Sequence, residues 1–318
     1  PCWWRTPAGS TPAGKPVPAP APERIALQWH DFYLALQPAA GGSVAAFTWR
    51  DQPLFRTETA TPESPAEPLA LAGFPLIPFA SRMTGNRFAW SPRRDGVLQR
   101  EILLTPNMPG EPLAIHGQSW RHPWIAENTA AGGYRLTYHH EPDSWPWRYR
   151  ARQTFTPHPN GFSLALELAN TDRTPMPGGL GWHPYLHRGD AHLTAAVAGR
   201  IRGTGDPPGG RRLPSPGFVS AKVDQLNLDH GFYDWQGVVD VHWPARGLHL
   251  TMTAASPLDH LIVYTPPAAP YFCVEPVSHL PDAANWRDPY PNGWRTVEPG
   301  ESLCATIGIS VRAEQGID

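Results

Sequence analysis

The sequence predicts an all-β protein, an antiparallel sandwich or barrel. Short segments with apolar residues at every second position recur through the chain, and this alternation is typical of half-buried strands. The chain of 318 residues contains 40 prolines and 29 glycines, which interrupt it too often for long helices. Because no helical periodicity separates the alternating segments, we expect consecutive strands to pair antiparallel.

Alternating or apolar segments predict the main strands in chain order. These segments are 32–36, 44–49, 134–138, 162–168, 238–243, 248–253, 261–264, 272–274 and 305–311. The stretch 199–217, with the sequence GRIRGTGDPPGGRRLPSPG, shows no alternation and predicts a surface loop. Its arginines either contact an anionic substrate or belong to an ordinary solvated loop; they are Arg200, Arg202, Arg211 and Arg212.

The composition indicates one main domain between two tails. Residues 1–24 are rich in proline and alanine, which predicts a tail without regular structure. Residues 25–312 are expected to form a single β-sandwich domain, and residues 313–318 a short second tail. Hydrophobic residues make up 41% of the chain, which is enough to build a sizeable core.

The charge balance argues against nucleic-acid and membrane partners. The chain has 26 lysines and arginines against 28 aspartates and glutamates, a formal net charge of −2, whereas such partners select strongly basic proteins. The sequence shows neither an apolar run of about 18 residues nor a secretory leader pattern, so we expect a cytoplasmic protein. Its three cysteines form no CxxC pair, which disfavours a disulfide framework.

Two residues stand out as candidates for proton-transfer chemistry. His183 lies in GGLGWHPYLHR, where glycines permit a close backbone approach and Pro184 favours an extended histidine. Glu275 lies in FCVEPV, a carboxylate within an apolar strand, and burial there would raise its pKa toward that of a general base. The alternatives are a structural hydrogen-bonding histidine and a glutamate on the solvent face of an edge strand.

Four further polar residues are candidates for substrate binding. His116 follows an apolar strand end and precedes a glycine, so it is either satisfied locally or directed into a pocket. Arg82 and Asn86 follow the apolar run FPLIPF, and Asp229 lies in LDHGF. Such side chains can hold hydroxyl oxygens, although they are also ordinary surface and turn residues. His183 and His187 are four apart, but the β context makes a helical metal-binding pair doubtful, and we expect no metal.

Several segments occur together in one order and resemble the aldose 1-epimerases, the sugar mutarotases. They are FPLIPFASRMTGNRF, AIHGQSWRHPW, GLGWHPYLH, LDHGF and CVEPVSHLPDAAN. The resemblance covers roughly residues 25–311. The chain departs from the family pattern at GNRF, at Leu186 after HPY and in the proline-rich 199–217 stretch, so it looks closer to a divergent subgroup and galactose specificity is not carried over.

The resemblance implies a galactose-mutarotase-type β-supersandwich and a set of site residues. It implies that Glu275 is the catalytic base and His183 the catalytic acid. It also implies that His116, Arg82 and Asp229 bind the sugar, with Asn86 as a weaker neighbour in the same motif.

The implied reaction is the interconversion of sugar anomers by ring opening and reclosure, without cofactor or metal. Two alternatives remain open at this point. One is a non-catalytic carbohydrate-binding protein on the same fold. The other is an enzyme for sugar phosphates, which the arginines of the 199–217 stretch would bind. A glycoside hydrolase ranks last because that chemistry usually needs two carboxylates.

Overall fold

The structure confirms the all-β antiparallel fold. It is a computed structural model that describes residues 24–57, 67–91, 100–201 and 211–314. In this part of the chain, two large antiparallel sheets carry most of the strands, and three two-stranded pairs accompany them. No helix among the described residues is long and apolar enough to cross a membrane.

The strands are numbered in chain order. The first sheet contains β1 (Ile25–Trp29), β2 (Phe32–Gln37), β3 (Ser43–Trp49), β4 (Gln52–Pro53), β5 (Gly73–Leu76), β15 (Gly181–His187), β17 (Gly199–Ile201), β18 (Arg212–Pro214), β20 (Asp229–Tyr233), β23 (His260–Tyr264) and β24 (Tyr271–Val277). The second sheet contains β10 (Ile125–Asn128), β11 (Tyr134–His140), β12 (Tyr149–His158), β13 (Gly161–Asn170), β16 (His192–Ala195), β19 (Phe218–Lys222), β21 (Val238–Trp243), β22 (Leu248–Ala254) and β26 (Ser302–Ala313).

Short elements complete the described chain. The two-stranded pairs are β6 (Arg82–Met83) with β9 (Ala114–Ile115), β7 (Arg87–Trp90) with β8 (Arg100–Leu103), and β14 (Met176–Gly178) with β25 (Arg295–Val297). Single 3₁₀ turns span Pro68–Ala70, Thr84–Asn86, Ser119–Arg121, Val223–Gln225, Pro244–Arg246, Ala283–Asn285 and Tyr290–Asn292.

Many neighbouring strands in the two large sheets are not consecutive in sequence. The first sheet runs β1-β2-β3-β5-β15-β24-β23-β20-β17-β18, with β4 beside β3. The second runs β10-β11-β12-β13-β26-β22-β21-β16-β19. As a result β15 and β24, about ninety residues apart in sequence, lie side by side in the first sheet.

Side-chain alternation separates a main core from a second apolar layer. In β24, Phe272 and Val274 pack in the large core with residues of the second sheet, such as Leu250. Cys273 and Val277 point to the other face, where they join a smaller cluster with Phe74. Because successive strand residues point to opposite faces, Glu275 lies on this outer face of the first sheet.

One expectation from the sequence needs correction. The 199–217 stretch is not a loop throughout, because its ends form the paired strands β17 and β18, and β17 also pairs with β20. Its Gly/Arg/Pro composition hides the alternation, and residues 202–210 lie outside the described residues. His183 and His187 both lie on the strand β15, so their spacing does not place them on one helical face. The expected tail at residues 1–24 lies outside the described chain except for Arg24.

Candidate active site

The two strands β15 and β24 bring His183 and Glu275 into contact. Their register pairs Gly181 with Val277 and Tyr185 with Cys273, which puts the two functional side chains next to each other on one face. His183 Nε2 lies 3.3 Å from Glu275 Oε1, and the two side chains are only 8% and 2% exposed.

Each member of this pair keeps one buried polar atom without a partner. Within the described part of the chain, Glu275 Oε2 and His183 Nδ1 are buried and make no hydrogen bond. Buried polar atoms are nearly always satisfied, and an exception calls for an explanation such as a catalytic role or an interaction with water or an ion. The pair therefore has the character of a binding and proton-transfer site rather than of a closed structural ion pair.

His116 approaches the pair from β9, and its backbone is held in an unusual conformation. Its φ is +60°, and Gly117 beside it has φ +68°, where a Cβ would lie 2.3 Å from the Ile77 carbonyl oxygen. The His116 ring stands edge-on to that of His183, with centroids 5.2 Å apart. The close turn thus requires glycine at 117 and directs His116 into the site.

A backbone contact determines which nitrogen of His116 carries the proton. The Ser81 N–H donates to His116 Nδ1 at 3.0 Å, so Nδ1 must present a lone pair. The neutral ring then carries its proton on Nε2 and acts as a hydrogen-bond donor there. Burial, followed by the charges of His183 and Arg82, lowers the pKa of His116 well below its usual value, which keeps the ring neutral.

Arg82 and Asp229 form a charged rim beside the buried pair. Arg82 Nε donates to Glu111 Oε2 at 2.7 Å, and its Nη1 lies 3.4 Å from Asp229 Oδ2. The Arg82 and Asp229 side chains are 25% and 41% exposed, so they reach solvent while Glu275 does not. Glu111 is a residue that sequence reasoning missed, since a glutamate before proline in a loop carries no recognisable signal.

Asn86 is engaged with backbone instead. Its side-chain amide donates to the Pro112 carbonyl at 3.0 Å and accepts from the Ala114 N–H at 2.6 Å. Both polar ends of the side chain therefore anchor the segment that leads into β9 and His116. Asn107 adds a second anchor, because its amide bonds to both Ile115 and Gly117.

Aromatic side chains and one half-buried arginine surround His183, and only some of these residues were recognisable in the sequence. The His183 ring packs against Phe74 at 4.7 Å and Tyr185 at 4.6 Å between centroids. The Arg56 guanidinium lies 3.5 Å from the Tyr185 ring centroid, and it donates to the carbonyls of Leu69 and Leu71. Tyr185 belongs to the HPY segment, whereas nothing in the sequence around Arg56 marks it as part of a site.

Burial dominates the proton affinities of the central pair. It raises the pKa of Glu275 well above the usual value; the Asp229 charge adds to this rise, and the Arg82 charge opposes it. It lowers the pKa of His183 to about 3, and the Arg56 charge adds to that fall. Both shifts favour the neutral forms, a protonated Glu275 carboxyl and an uncharged His183 ring.

The same three residues offer ligand atoms at metal-binding separations. Atoms of His116, His183 and Glu275 all lie within 4.8 Å of one another. A metal ligand must present a lone pair, however, and the Ser81 contact places the His116 proton on the Nε2 atom that faces the site. The geometry therefore fits a donor and a proton-transfer pair better than a metal centre.

Comparisons with known proteins identify the family of the chain. Residues 24–310 match the family model of aldose 1-epimerases. The uncharacterized protein YphB of Escherichia coli (strain K12) is 27% identical over 289 residues, which is 85% of this chain and 93% of YphB.

Solved structures share the fold over nearly the whole chain. A candidate aldose 1-epimerase from Escherichia coli K12 superposes with a TM-score of 0.81 at 25% identity, covering 91% of this chain and 99% of its own. A galactose mutarotase-like protein from Clostridium acetobutylicum shares the fold with a TM-score of 0.79 at 12% identity, covering 91% of this chain and 95% of its own. Because the family model matches residues 24–310, most of this chain, the chain belongs to the aldose 1-epimerase family.

Proposed function

We propose that the protein is an aldose 1-epimerase that interconverts the α and β anomers of a free aldose. The observation that carries this proposal is the buried contact between His183 Nε2 and Glu275 Oε1 at 3.3 Å, in which each residue keeps an unpartnered polar atom. A base and an acid held side by side are what ring opening of a hemiacetal requires.

The reaction requires that His183 and Glu275 together hold one transferable proton. With that proton on His183, the Glu275 carboxylate takes the proton of the C1 hydroxyl while the imidazolium protonates the ring oxygen, and the ring opens to the aldehyde. Rotation about the C1–C2 bond presents the other carbonyl face. The two groups then act in reverse, and the opposite anomer closes with the proton count restored.

The structure supports a way to reach this charged form. The neutral pair and the carboxylate–imidazolium pair contain the same number of protons and differ only by a shift of one proton across the 3.3 Å contact. Burial favours the neutral form in the empty site. Sugar hydroxyls and the Arg82 charge favour the ionised carboxylate, because hydrogen bonds and opposite charges lower a carboxyl pKa.

The remaining site residues receive binding roles in this proposal. His116 donates from Nε2 to a sugar oxygen, and Arg82 and Asp229 bind hydroxyls at the open side. Asn86 positions the segment that carries His116. Arg82 already contacts Glu111 and Asp229, so this rim suits a neutral sugar better than a phosphorylated one.

Polarimetry tests the proposal. Freshly dissolved α-D-glucose, α-D-galactose and further aldoses are followed with the wild-type protein and with Glu275→Gln. We expect the wild type to accelerate the approach to anomeric equilibrium and the variant to lose about 10²–10⁴-fold of that acceleration, the usual worth of one positioned proton transfer.

Sugar binding and thermal unfolding provide the controls. A folded Glu275→Gln variant that turns over at the wild-type rate would refute the base assignment. Sugar binding by the wild type without any acceleration would favour the carbohydrate-binding alternative.

A further inference from the structure

A second group of two histidines and one glutamate lies on the outer face of the second sheet. His242 and His249 are direct cross-strand partners on β21 and β22, and Glu314 follows the last residue of β26. Their neighbours Val241 and Leu250 are fully buried in the main core. Since strand side chains alternate between faces, the two histidines point away from that core and from the first sheet.

The three side chains bring their ligand atoms together. Glu314 Oε1 lies 2.8 Å from His242 Nε2 and 3.4 Å from His249 Nε2, and the ligand atoms of the group all lie within 4.8 Å of one another. Tetrahedral zinc with bonds of 2.0–2.1 Å keeps its N and O ligands about 3.3 Å apart. The observed separations therefore approach those of a coordinated ion.

The Asp240 carboxylate contacts His249 and orients its ring for metal binding. His249 Nδ1 lies 3.0 Å from Asp240 Oδ1, and Thr251 Oγ1 donates to the other Asp240 oxygen at 3.1 Å. A carboxylate only accepts, so Nδ1 carries the proton and the neutral ring turns a lone pair of Nε2 toward Glu314. This carboxylate–histidine arrangement is the usual outer support of a metal-bound imidazole.

A lone pair facing a carboxylate is repulsive unless a proton or a metal ion lies between them. His242 adds to this conflict, because its Nε2 atom is buried and has no hydrogen bond within the described residues, although Glu314 Oε1 is close. The two imidazole rings lie parallel with centroids 4.1 Å apart. A shared ion would thus rotate the rings until both Nε2 lone pairs converge.

The backbone holds Glu314 in reach of the histidines. Its N–H donates to the Gly247 carbonyl at 2.8 Å, in the turn that joins β21 to β22. The preceding pairs are Ala313 with Leu248 and Arg312 with His249. An ion bound here would tie the end of the C-terminal strand to the β21–β22 hairpin.

We propose that His242, His249 and Glu314 bind one divalent transition-metal ion of the zinc type, with Asp240 orienting His249. Two imidazoles and one carboxylate favour Zn²⁺ and its neighbours over Mg²⁺ or Ca²⁺, which prefer all-oxygen sites. The site leaves a coordination position open to solvent. Its role is to hold the end of the C-terminal strand β26 against the β21–β22 hairpin. It is independent of anomer exchange, which takes place on the other sheet.

The test is metal binding to the tag-free full chain after dialysis against a chelator and then chelator-free buffer. Co²⁺ is titrated while visible absorption is recorded, and Zn²⁺ is added by calorimetry and in competition. We expect one equivalent of Co²⁺ to bind with a tetrahedral spectrum and to be displaced by Zn²⁺. His242→Gln and Glu314→Gln are each expected to lose this equivalent while melting like the metal-free wild type.

Two variants serve as matched controls. His192 lies opposite His242 on β16, but its Nδ1 contacts Ser220 Oγ, and we expect His192→Gln to keep the metal. Glu275→Gln, in the buried group, is also expected to keep it. The proposal is overturned if the wild type binds no metal, which would make these contacts ion pairs of a protonated histidine, or if binding survives in Glu314→Gln and disappears in Glu275→Gln.

Discussion

The two outer faces of the sandwich carry the same residue types in opposite settings. On the first sheet, His183 and Glu275 are 8% and 2% exposed; on the second, His242 and Glu314 are 25% and 43% exposed. Burial lowers the pKa of His183 and raises that of Glu275, and both shifts strongly favour the neutral forms. The second group lies closer to solvent, where water can solvate charged side chains.

The hydrogen bond at the Nδ1 atom of each imidazole ring matters as much for the role of the ring as its burial does. A backbone N–H donates to Nδ1 of His116, which leaves a proton on Nε2 and makes this ring a donor toward the site. A carboxylate accepts from Nδ1 of His249, which leaves Nε2 as a lone pair. In the roles that we propose, identical side chains therefore provide hydrogen bonding and proton transfer in one place and metal coordination in the other.

The largest expected effect is a difference in anomer exchange rate between variants of the two histidine groups. His183→Asn removes the acid of the buried pair, and we expect the rate of anomer exchange to fall about 10²–10⁴-fold. His249→Asn makes the matching change on the other sheet and is expected to leave the rate unchanged. Polarimetry on both variants measures the difference, and equal losses would show that the comparison is wrong.

The next prediction concerns the carboxylate that orients His249. Asp240→Asn replaces an acceptor by an amide that no longer enforces the Nδ1 proton, and we expect Co²⁺ and Zn²⁺ affinity to fall about 10–100-fold. Calorimetry measures the change, with the anomer exchange rate as the control. Unchanged metal affinity would mean that Asp240 does not support a bound ion.

A smaller effect is expected in the pH profile of kcat/KM. The active form of the buried pair holds one proton. Burial lowers the His183 pKa to about 3 and raises that of Glu275. A second proton, on His183, therefore binds only at acid pH. The one proton of the active form leaves only above the ordinary pKa range of a carboxyl group. We expect a broad plateau through neutral pH, whose acid limb lies far below the ordinary histidine value of 6.5.

Arg56 sharpens this prediction because its charge contributes to the low His183 pKa. Arg56→Met should raise that pKa and move the acid limb up by roughly one pH unit. Arg56→Lys keeps the charge and is expected to leave the limb in place. If both variants move the limb equally, the effect of Arg56 is structural rather than electrostatic.

The smallest expected effect is on stability. Above pH 4.5 the unfolded chain ionises Glu275, while the native site keeps the carboxyl neutral until its raised pKa is reached, so the native state loses stability over that interval. Glu275→Gln removes this penalty. We expect the variant to melt like the wild type near about pH 4 and above it near about pH 8. A difference that is the same at both pH values would contradict the burial argument.

Local sequence patterns predict the strands well, and they predict the contacts between strands poorly. The alternation in 238–243 and 248–253 marked β21 and β22, and it also shows which of their side chains face outward. It does not show that β26 follows β22 in the sheet, and this neighbour brings Glu314 to the two histidines. The group of His242, His249 and Glu314 therefore could not be predicted before the pairing of β22 with β26 was known.

The candidate active site was partly predictable for a different reason. His183, Glu275 and His116 lie in segments whose order resembles a family, and the structure brings all three together. Arg56 and Glu111 enter through contacts between segments that share no motif. The low pKa of His183 could also not be predicted from the sequence, because it depends on burial within the folded sheet.

The most direct measurement of the central claim is the anomer exchange rate of an equilibrated aldose, determined by magnetisation-transfer NMR with and without a chelator. The wild type, Glu275→Gln and Glu314→Gln are compared. We predict that wild-type and Glu314→Gln rates are equal and unaffected by the chelator, while Glu275→Gln approaches the uncatalysed rate. A wild-type rate that falls with the chelator, or a Glu275→Gln variant that exchanges at the wild-type rate, would contradict the assignment of proton transfer to the buried pair.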